Sequence, residues 1–343
     1  MSVVLVTGGA GYIGSHAVKA LVEAGDHVVV YDDLSAGHRE AVAALAAHAR
    51  AVRGTEAVSL VVADIRDTAR LAETLRAGGV EAVMHFAAWL DVGASVRDPV
   101  GYYHNNVVGA LSVLRAMTEV GVRRFIFSST CAVFGNPDET PIPESHPTWP
   151  INAYGQTKLA IEHALPHYDR AYGLRHVALR YFNAAGADPT GLIGEDHAPE
   201  IHVIPRALAA AAGTGSLEVY GDDYDTPDGT CLRDYVHVTD LADAHVRALR
   251  HLEQGGTSRT FNLGNGRPQS VLDVIRTVER VTGARVPYRV TGRRPGDPAA
   301  LFASNARICT ELGWTPGFGD IQAIVETAWR WHTAHPRGYA GHH

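Results

Sequence analysis

A short apolar run, Val3, Val4, Leu5 and Val6, leads directly into TGGAGYIGS, and no other feature of the chain restricts its fold as much. Gly8, Gly11 and Gly14 fall where a strand would turn sharply into a helix. Glycine lets the backbone close that turn and approach a pyrophosphate, whose charge is met by the amides and dipole of the helix amino terminus. A three-glycine turn is weak evidence alone, and here its context adds to it. A second apolar run, His27 to Tyr31, ends in Asp32, eighteen residues past Gly14, where a carboxylate would bind an adenosine ribose. Asp32 would repel a 2′-phosphate and Asp33 adds to the repulsion, so NAD is favoured over NADP. Asp64-Ile65, at the end of a third run, offers a carboxylate to the adenine amino group. Phe86-Ala87-Ala88 ends a fourth with small residues that let a cofactor lie close.

The same alternation of strand and helix continues through the first half. Val3 to Val6, His27 to Tyr31, Ser59 to Val62, Ala82 to Phe86, Arg124 to Ser128 and His176 to Arg180 read as strands, with amphipathic stretches between several of them. Continuous apolarity in these runs argues for strands covered on both faces, hence an α/β fold with a Rossmann-like, doubly wound parallel sheet. Glu40 to Ala51 reads as an inserted surface helix without chemistry. At 343 residues the chain is long enough for roughly two domains. The texture changes after Arg180, where Asn183 to Pro199 reads as a long loop. Helical stretches follow at Ile204 to Ala212, Val238 to Leu252, Val271 to Val281 and Ile321 to His332. We therefore expect a dinucleotide-binding domain over 1–183 and a smaller substrate-binding lobe over 184–343, with a ligand cleft where they meet.

Charge and cysteine content narrow the class. Thirty lysines and arginines against 37 aspartates and glutamates leave a net charge of −7, with no basic block suited to nucleic acid. Cys131, Cys231 and Cys309 are odd in number and far apart, which reads as buried thiols in a reducing, cytoplasmic compartment. No apolar run reaches the ~18 residues of a membrane span, and no charged segment precedes the first strand as in a secretory leader. The 19 histidines include no HExxH or comparable spacing, so no metal is expected; His342 and His343 sit on a terminal tail.

Tyr154, Gly155, Gln156, Thr157 and Lys158 form YxxxK on a helix expected to begin near Asn152. Four-residue spacing puts the phenol and the ammonium on one helix face. A phenol of pKa ~10 is a poor base at neutral pH, and a nearby lysine with a positive nicotinamide favours its phenolate. Ser128-Ser129-Thr130 ends the fifth strand, so a hydroxyl there would point to the ligand crevice.

Taken together, TGGAGYIGS, Asp32, SSTCAVFG, YGQTK and LRYFNAAGA resemble the UDP-glucose 4-epimerases of the extended short-chain dehydrogenase/reductase superfamily. VYGDDYDTPDGTCLRDYVHVTDLADAH, FNLGNGRPQSVLDVI and GRRPGD carry the resemblance along nearly the whole chain. It implies that Tyr154 moves the proton of the sugar 4′-hydroxyl while hydride passes to NAD and back through a 4-keto intermediate, with transient NADH. Thr130 would hold the 4′-oxygen, and Lys158 the nicotinamide ribose. On the cofactor side it places Gly8, Gly11, Tyr12, Ile13, Gly14, Asp32, Asp33, Leu34, Asp64, Ile65, Phe86, Ala87, Ala88, Asn105, Ser128 and Tyr181, with Tyr154 and Lys158. On the substrate side, besides Thr130, Tyr154 and Phe182, Asn183 and Arg233 would hold the pyrophosphate. Arg294 and Asp297 would hold phosphate and ribose, and His202, Val203, Glu218 and Tyr220 the uracil end. Leu301 would line the sugar pocket beside the 2′ substituent.

Two positions depart from the pattern: Leu90 follows Phe86-Ala87-Ala88-Trp89 where the family often has lysine, and Thr130 replaces the commoner serine. A 4,6-dehydratase would need an acid pair after Thr130, and Cys131 and Ala132 stand there. A 4-epimerase of UDP-xylose, UDP-glucuronate or a UDP-N-acetylhexosamine shares the chemistry, and a non-catalytic NAD-binding protein shares the fold. The family's homodimer would use Tyr102 to Val120 and Ala153 to Tyr172, with Pro166 expected to kink the second helix.

Overall fold

Short runs rich in β-branched residues and bounded by turns favour strands. In the computed structural model, which describes residues 1–294 and 297–341, six such runs become the first strands of one sheet. They are β1 (Val3–Thr7), β2 (His27–Asp32), β3 (Val58–Val62), β4 (Ala82–His85), β5 (Arg124–Thr130) and β6 (Arg175–Tyr181). A seventh, β7 (Arg259–Leu263), comes from far along the chain and gives the order β7-β6-β5-β4-β1-β2-β3. β1 pairs in parallel with β2 and β4, β2 with β3, and β4 with β5. The strand order reverses between β1 and β4, the crevice where sheets of this kind bind ligands.

The expected doubly wound α/β fold is therefore present, and its core explains the apolar strands. Leu5 and Tyr31 from the sheet, with Val83, Phe125 and Phe127, pack against Leu71 and Leu75, Leu114 and Met117, and Ile161 from three helices. Each side chain so buried contributes about 1.5–3 kcal/mol relative to exposure. The inserted helix runs Arg39–Arg53 and buries a stripe of Ala41, Val42, Leu45 and Ala49.

Contacts divide the chain into two compact units whose segments interleave. The first takes Met1–Gly135, Pro147–Arg180 and Ala242–Phe261; the second takes Asn136–His146, Tyr181–Leu241 and the described residues from Asn262 onward. The single cut expected after residue 183 thus takes a different form. Most of the helix Val238–Glu253 belongs to the first unit, because Arg250 pairs with the fully buried Asp26 and the His245 ring lies 4.7 Å from that of Phe86.

In the second unit, Ile204 and Leu208, Val274, Ile275 and Val278, and Ile324 and Val325 pack three helices together: Val203–Ala211, Val271–Thr282 and Ile321–Ala334. A reciprocal cap starts the second of these, with Ser270 accepting from the Asp273 amide and Asp273 accepting from that of Ser270. The stretch expected as one loop from Asn183 begins as a strand, Asn183–Ala185, paired in parallel with Tyr235–His237. Leu217–Tyr220 pairs with Tyr288–Thr291, and Leu232–Arg233 lies between Gln269–Ser270 and Ala300–Leu301.

Two further expectations change, while the helix Ala153–Tyr172 runs on past Pro166. The stretch 102–120 is not one α-helix: a π-helical turn, Tyr103–Val108, precedes Gly109–Val120. Of the three unbridged thiols only Cys231 is buried, Cys131 and Cys309 being half-buried. Among the described residues no helix is long and apolar enough to cross a membrane. Pro295 and Gly296 of the GRRPGD run, with His342 and His343, lie outside the described residues.

Candidate active site

The glycine turn at the end of β1 is closed as its sequence requires. Gly8 has a positive φ of +72°, and a Cβ on it would lie 2.6 Å from the Ala87 nitrogen, which brings the end of β4 close against the turn. A Cβ on Gly14 would meet the Gly8 oxygen at 2.1 Å. Gly11 caps the helix Tyr12–Glu23 without a side-chain hydrogen bond, and no acidic residue stands in the first turn. The positive end of the helix dipole is thereby left for an anion. These residues fit the pyrophosphate of a dinucleotide.

Asp32 ends β2 beside that turn. Its carboxylate accepts the amides of Ala10 at 3.0 Å and Leu34 at 2.9 Å, fixing the turn to the following loop. Burial pushes its pKa up against the pull of those amides. Leu34 is the one described non-glycine residue with positive φ, 60°, which this bend demands. Asp33 is exposed and holds the amide and hydroxyl of Ser35. Asp64 is engaged by the Arg66 guanidinium, which holds its carboxyl below the usual range, while Ile65 belongs to the core.

The proton-transfer candidates lie on and against one helix. Asn152 caps Ala153–Tyr172 by accepting the Gly155 amide at 2.8 Å, setting Tyr154 in the first turn, half-buried. Lys158, one turn on, donates from Nζ to the Ser128 carbonyl at 2.9 Å, and burial drops its pKa to about 7. Glu162, a further turn on, accepts the Ser129 hydroxyl at 2.5 Å and both Nε and a terminal nitrogen of Arg180, at 3.0 and 2.5 Å. Successive turns of the helix thus grip successive residues of β5, which ends in the buried Thr130, whose Oγ1 accepts the Ala132 amide at 3.2 Å. Beneath them His85, bonded to Thr7 at 2.7 Å, is held neutral, its pKa driven to about 3 by burial and by Lys158.

Glu162, Arg180 and Asn106 were not singled out from the sequence. Arg180 had a visible signal, since a charge inside the apolar run HVALRY must find a partner. Asn106 lies with Asn105 in the π-helical turn, a form common at functional sites. Asn105 donates to Asn106 at 3.0 Å, and Asn106 donates to Trp89 O at 3.0 Å and Thr157 Oγ1 at 3.1 Å, tying the segment after β4 to the helix of Tyr154.

The residues of the second unit expected on the substrate side fall into four groups. Arg233 pairs with Asp297 and donates to Pro298 O at 3.0 Å; Leu301 is its partner in the strand register. Arg294 lies 4.0 Å over the Tyr220 ring, whose hydroxyl donates to Glu218 at 2.7 Å, while Arg289 pairs with the same carboxylate and lowers its pKa. His202 joins Glu195, His197 and Glu200 in a cluster; burial alone would lower the histidine pKa values, but the adjacent carboxylates outweigh it and hold them at about 9 for His197 and about 10 for His202. Val203 opens the helix that follows. Asn183 pairs with Tyr235 at a strand edge, next to the buried Phe182 and the half-buried Tyr181.

Residues 4–264 match the NAD dependent epimerase/dehydratase family. The UDP-glucose 4-epimerase of Halalkalibacterium halodurans is 48% identical over 338 residues, 98% of this chain and 97% of that one. The crystal structure of UDP-glucose 4-epimerase from Brucella ovis in complex with NAD is 50% identical with a TM-score of 0.90, over 96% of this chain and 98% of that one. That of the Stenotrophomonas maltophila enzyme, with bound NAD and formylated UDP-arabinopyranose, is 41% identical with a TM-score of 0.93, over 98% and 99%.

Proposed function

The chain belongs to the NAD dependent epimerase/dehydratase family, and from that membership we propose that it interconverts UDP-glucose and UDP-galactose by inverting C4 of the sugar. The observation that carries this reading is the helix Ala153–Tyr172, where Tyr154, Lys158 and Glu162 stand on consecutive turns and the latter two grip the end of β5. NAD, which the Gly8–Gly14 turn, Asp32 and Lys158 would hold, would supply a reversible hydride acceptor for C4 of the sugar and so would not be consumed.

Tyr154 takes the proton of the 4′-hydroxyl and gives it back, acting as general base and then general acid. Thr130 holds the 4′-oxygen. Lys158 uses one N–H on Ser128 and offers another to the nicotinamide ribose, and its protonated form favours the phenolate. The first unit is the NAD-binding domain and the second binds the UDP-sugar. Arg233 and Asn183 face the pyrophosphate, Arg294 and Asp297 the phosphate and ribose, and His202, Val203, Glu218 and Tyr220 the uracil. Three unbridged cysteines support a reducing, cytoplasmic setting. The test is direct: UDP-galactose incubated with the purified protein and no added NAD should give UDP-glucose by proton NMR. Formation of no C4 epimer from any UDP-hexose would contradict the reading.

Lys158→Ala is expected to lower kcat by ~10²-fold or more and to move the acid limb of the kcat–pH profile upward, because the phenol loses the cation that lowers its pKa. A slower enzyme with an unmoved limb would leave the lysine only a structural part.

Sugar choice is assigned to Leu301. A leucine beside the 2′ substituent disfavours an N-acetyl group by on the order of 1–3 kcal/mol, or about ten- to a hundred-fold in kcat/KM. Leu301→Gly should relax that preference. Equal kcat/KM for UDP-galactose and UDP-N-acetylgalactosamine in the wild type would show the assignment wrong.

The active form is a homodimer through the segments that follow β4 and the helix Ala153–Tyr172. Val96 and Val100 are 65% and 79% exposed, with Tyr103 and Val108 also exposed nearby in sequence and Tyr172 at the end of the helix, a run of apolar surface that supports a covered face. Light scattering at micromolar concentration should give twice the chain mass; a monomer would contradict it.

A further inference from the structure

Eight residues of the second unit, from Glu195 to His202, place two imidazoles and two carboxylates together: Glu195, His197, Glu200 and His202 each offer one ligand atom, all within 4.8 Å of one another. His197 Nδ1 lies 3.3 Å from Glu195 Oε1 and 3.5 Å from Glu200 Oε2; His202 Nδ1 lies 2.8 Å from Glu195 Oε1 and 2.9 Å from Glu200 Oε1. Four ligands at metal–ligand distances of about 2.0–2.1 Å in a tetrahedron stand about 3.3 Å apart, and these nitrogen–oxygen separations, reaching both oxygens of Glu200, run from 2.8 to 3.5 Å.

A second observation separates this cluster from an ordinary ion-pair network. The Glu195 side chain is only 7% exposed, and its Oε1, in spite of the short approaches of both imidazoles, has no partner at hydrogen-bonding angles. His202 Nδ1, by contrast, is hydrogen-bonded to Glu200 Oε1 at 2.9 Å. Glu200 is held in place, because its Oε1 also accepts the amides of Ile201 and His202, each at 2.8 Å. With neutral imidazoles the four groups carry two negative charges, which a divalent cation offsets.

We propose that Glu195, His197, Glu200 and His202 form a structural site for a late first-row divalent cation of the Zn²⁺ type, which fixes the loop before the helix Val203–Ala211. Two nitrogen and two oxygen donors suit Zn²⁺ or Co²⁺ better than Mg²⁺ or Ca²⁺, which take oxygen shells. The site lies outside the proton-transfer residues, shares only His202 with the residues proposed for the uracil end, and its test does not depend on the epimerase reading.

Cobalt(II) is the probe, added to the full chain without an affinity tag after treatment with a chelator. The expected result is a set of intense visible bands of four-coordinate Co²⁺, saturating at one equivalent per chain and abolished by Zn²⁺. Zn²⁺ should also raise the thermal midpoint. Glu195→Gln, which keeps shape, and His197→Gln should weaken binding by more than the ~10–100-fold lost when even a supporting partner of a metal ligand is removed. Circular dichroism shows whether each variant is folded. Absence of four-coordinate bands would overturn the proposal, as would folded variants that bind like the wild type. Bands that vanish in His342→Ala/His343→Ala, or that show cobalt–thiolate charge transfer, would overturn it too.

Discussion

Tyr154→Phe should lower kcat by ~10²-fold or more, the typical worth of a positioned proton-transfer group, with little change in fold or NAD content. The substitution removes one oxygen from a half-buried ring in the first turn of a helix. What sets that turn is kept, since Asn152 caps the Gly155 amide and Thr157 Oγ1 donates to the Tyr154 carbonyl at 2.7 Å. Turnover of UDP-galactose and the NAD released on denaturation measure the two halves of this expectation. Turnover at the wild-type level would remove Tyr154 from the chemistry.

Glu162→Ala should act on stability instead. The side chains of Arg180 and Glu162 are 9% and 5% exposed, and the carboxylate also takes the Ser129 hydroxyl. Removing it leaves the guanidinium buried without its counter-charge, over the Phe134 ring at 5.1 Å. Breaking such a pair typically costs about 3–5 kcal/mol, whereas replacing both partners by apolar residues of similar volume is often neutral. At ~2–4 °C per kcal/mol for a domain of this size, the thermal midpoint should fall by roughly 10 °C. Glu162→Leu combined with Arg180→Met should recover much of it. An unchanged midpoint in Glu162→Ala would show that the pair does not hold β5 to its helix.

Local chemistry explains what could be read before the structure. β1, β2, β4, β5 and β6 were legible because burial on both faces leaves a nearly unbroken apolar run, the edge strand β3 through its β-branched residues although two of its five residues are exposed, and the glycine turn because its sterics admit nothing larger at Gly8 and Gly14. Tyr154 and Lys158 were legible through a fixed helical spacing. β7 was not, because its neighbour β6 is remote in sequence and pairing over that distance leaves no local mark. The return of the helix Val238–Glu253 to the first unit was hidden for the same reason: it rests on Arg250 and Asp26, which no periodicity connects. Asp64 looked like a free acceptor, but Arg66, two residues on, occupies it. The Glu195–His202 cluster leaves no familiar mark in the sequence because its ligand types alternate at spacings unlike the helical HExxH pattern.

The proposed reaction reverses one oxidation at C4 inside the same site, through the cofactor and Tyr154, with nothing exchanged. UDP-galactose carrying deuterium at C4 tests it most directly, in ordinary water and with no added nucleotide. The UDP-glucose formed should retain the deuterium at C4, read by proton NMR as a missing C4 resonance. Appearance of a proton at C4 at the rate of epimerisation would contradict it, because the hydrogen would then come from solvent rather than from the cofactor.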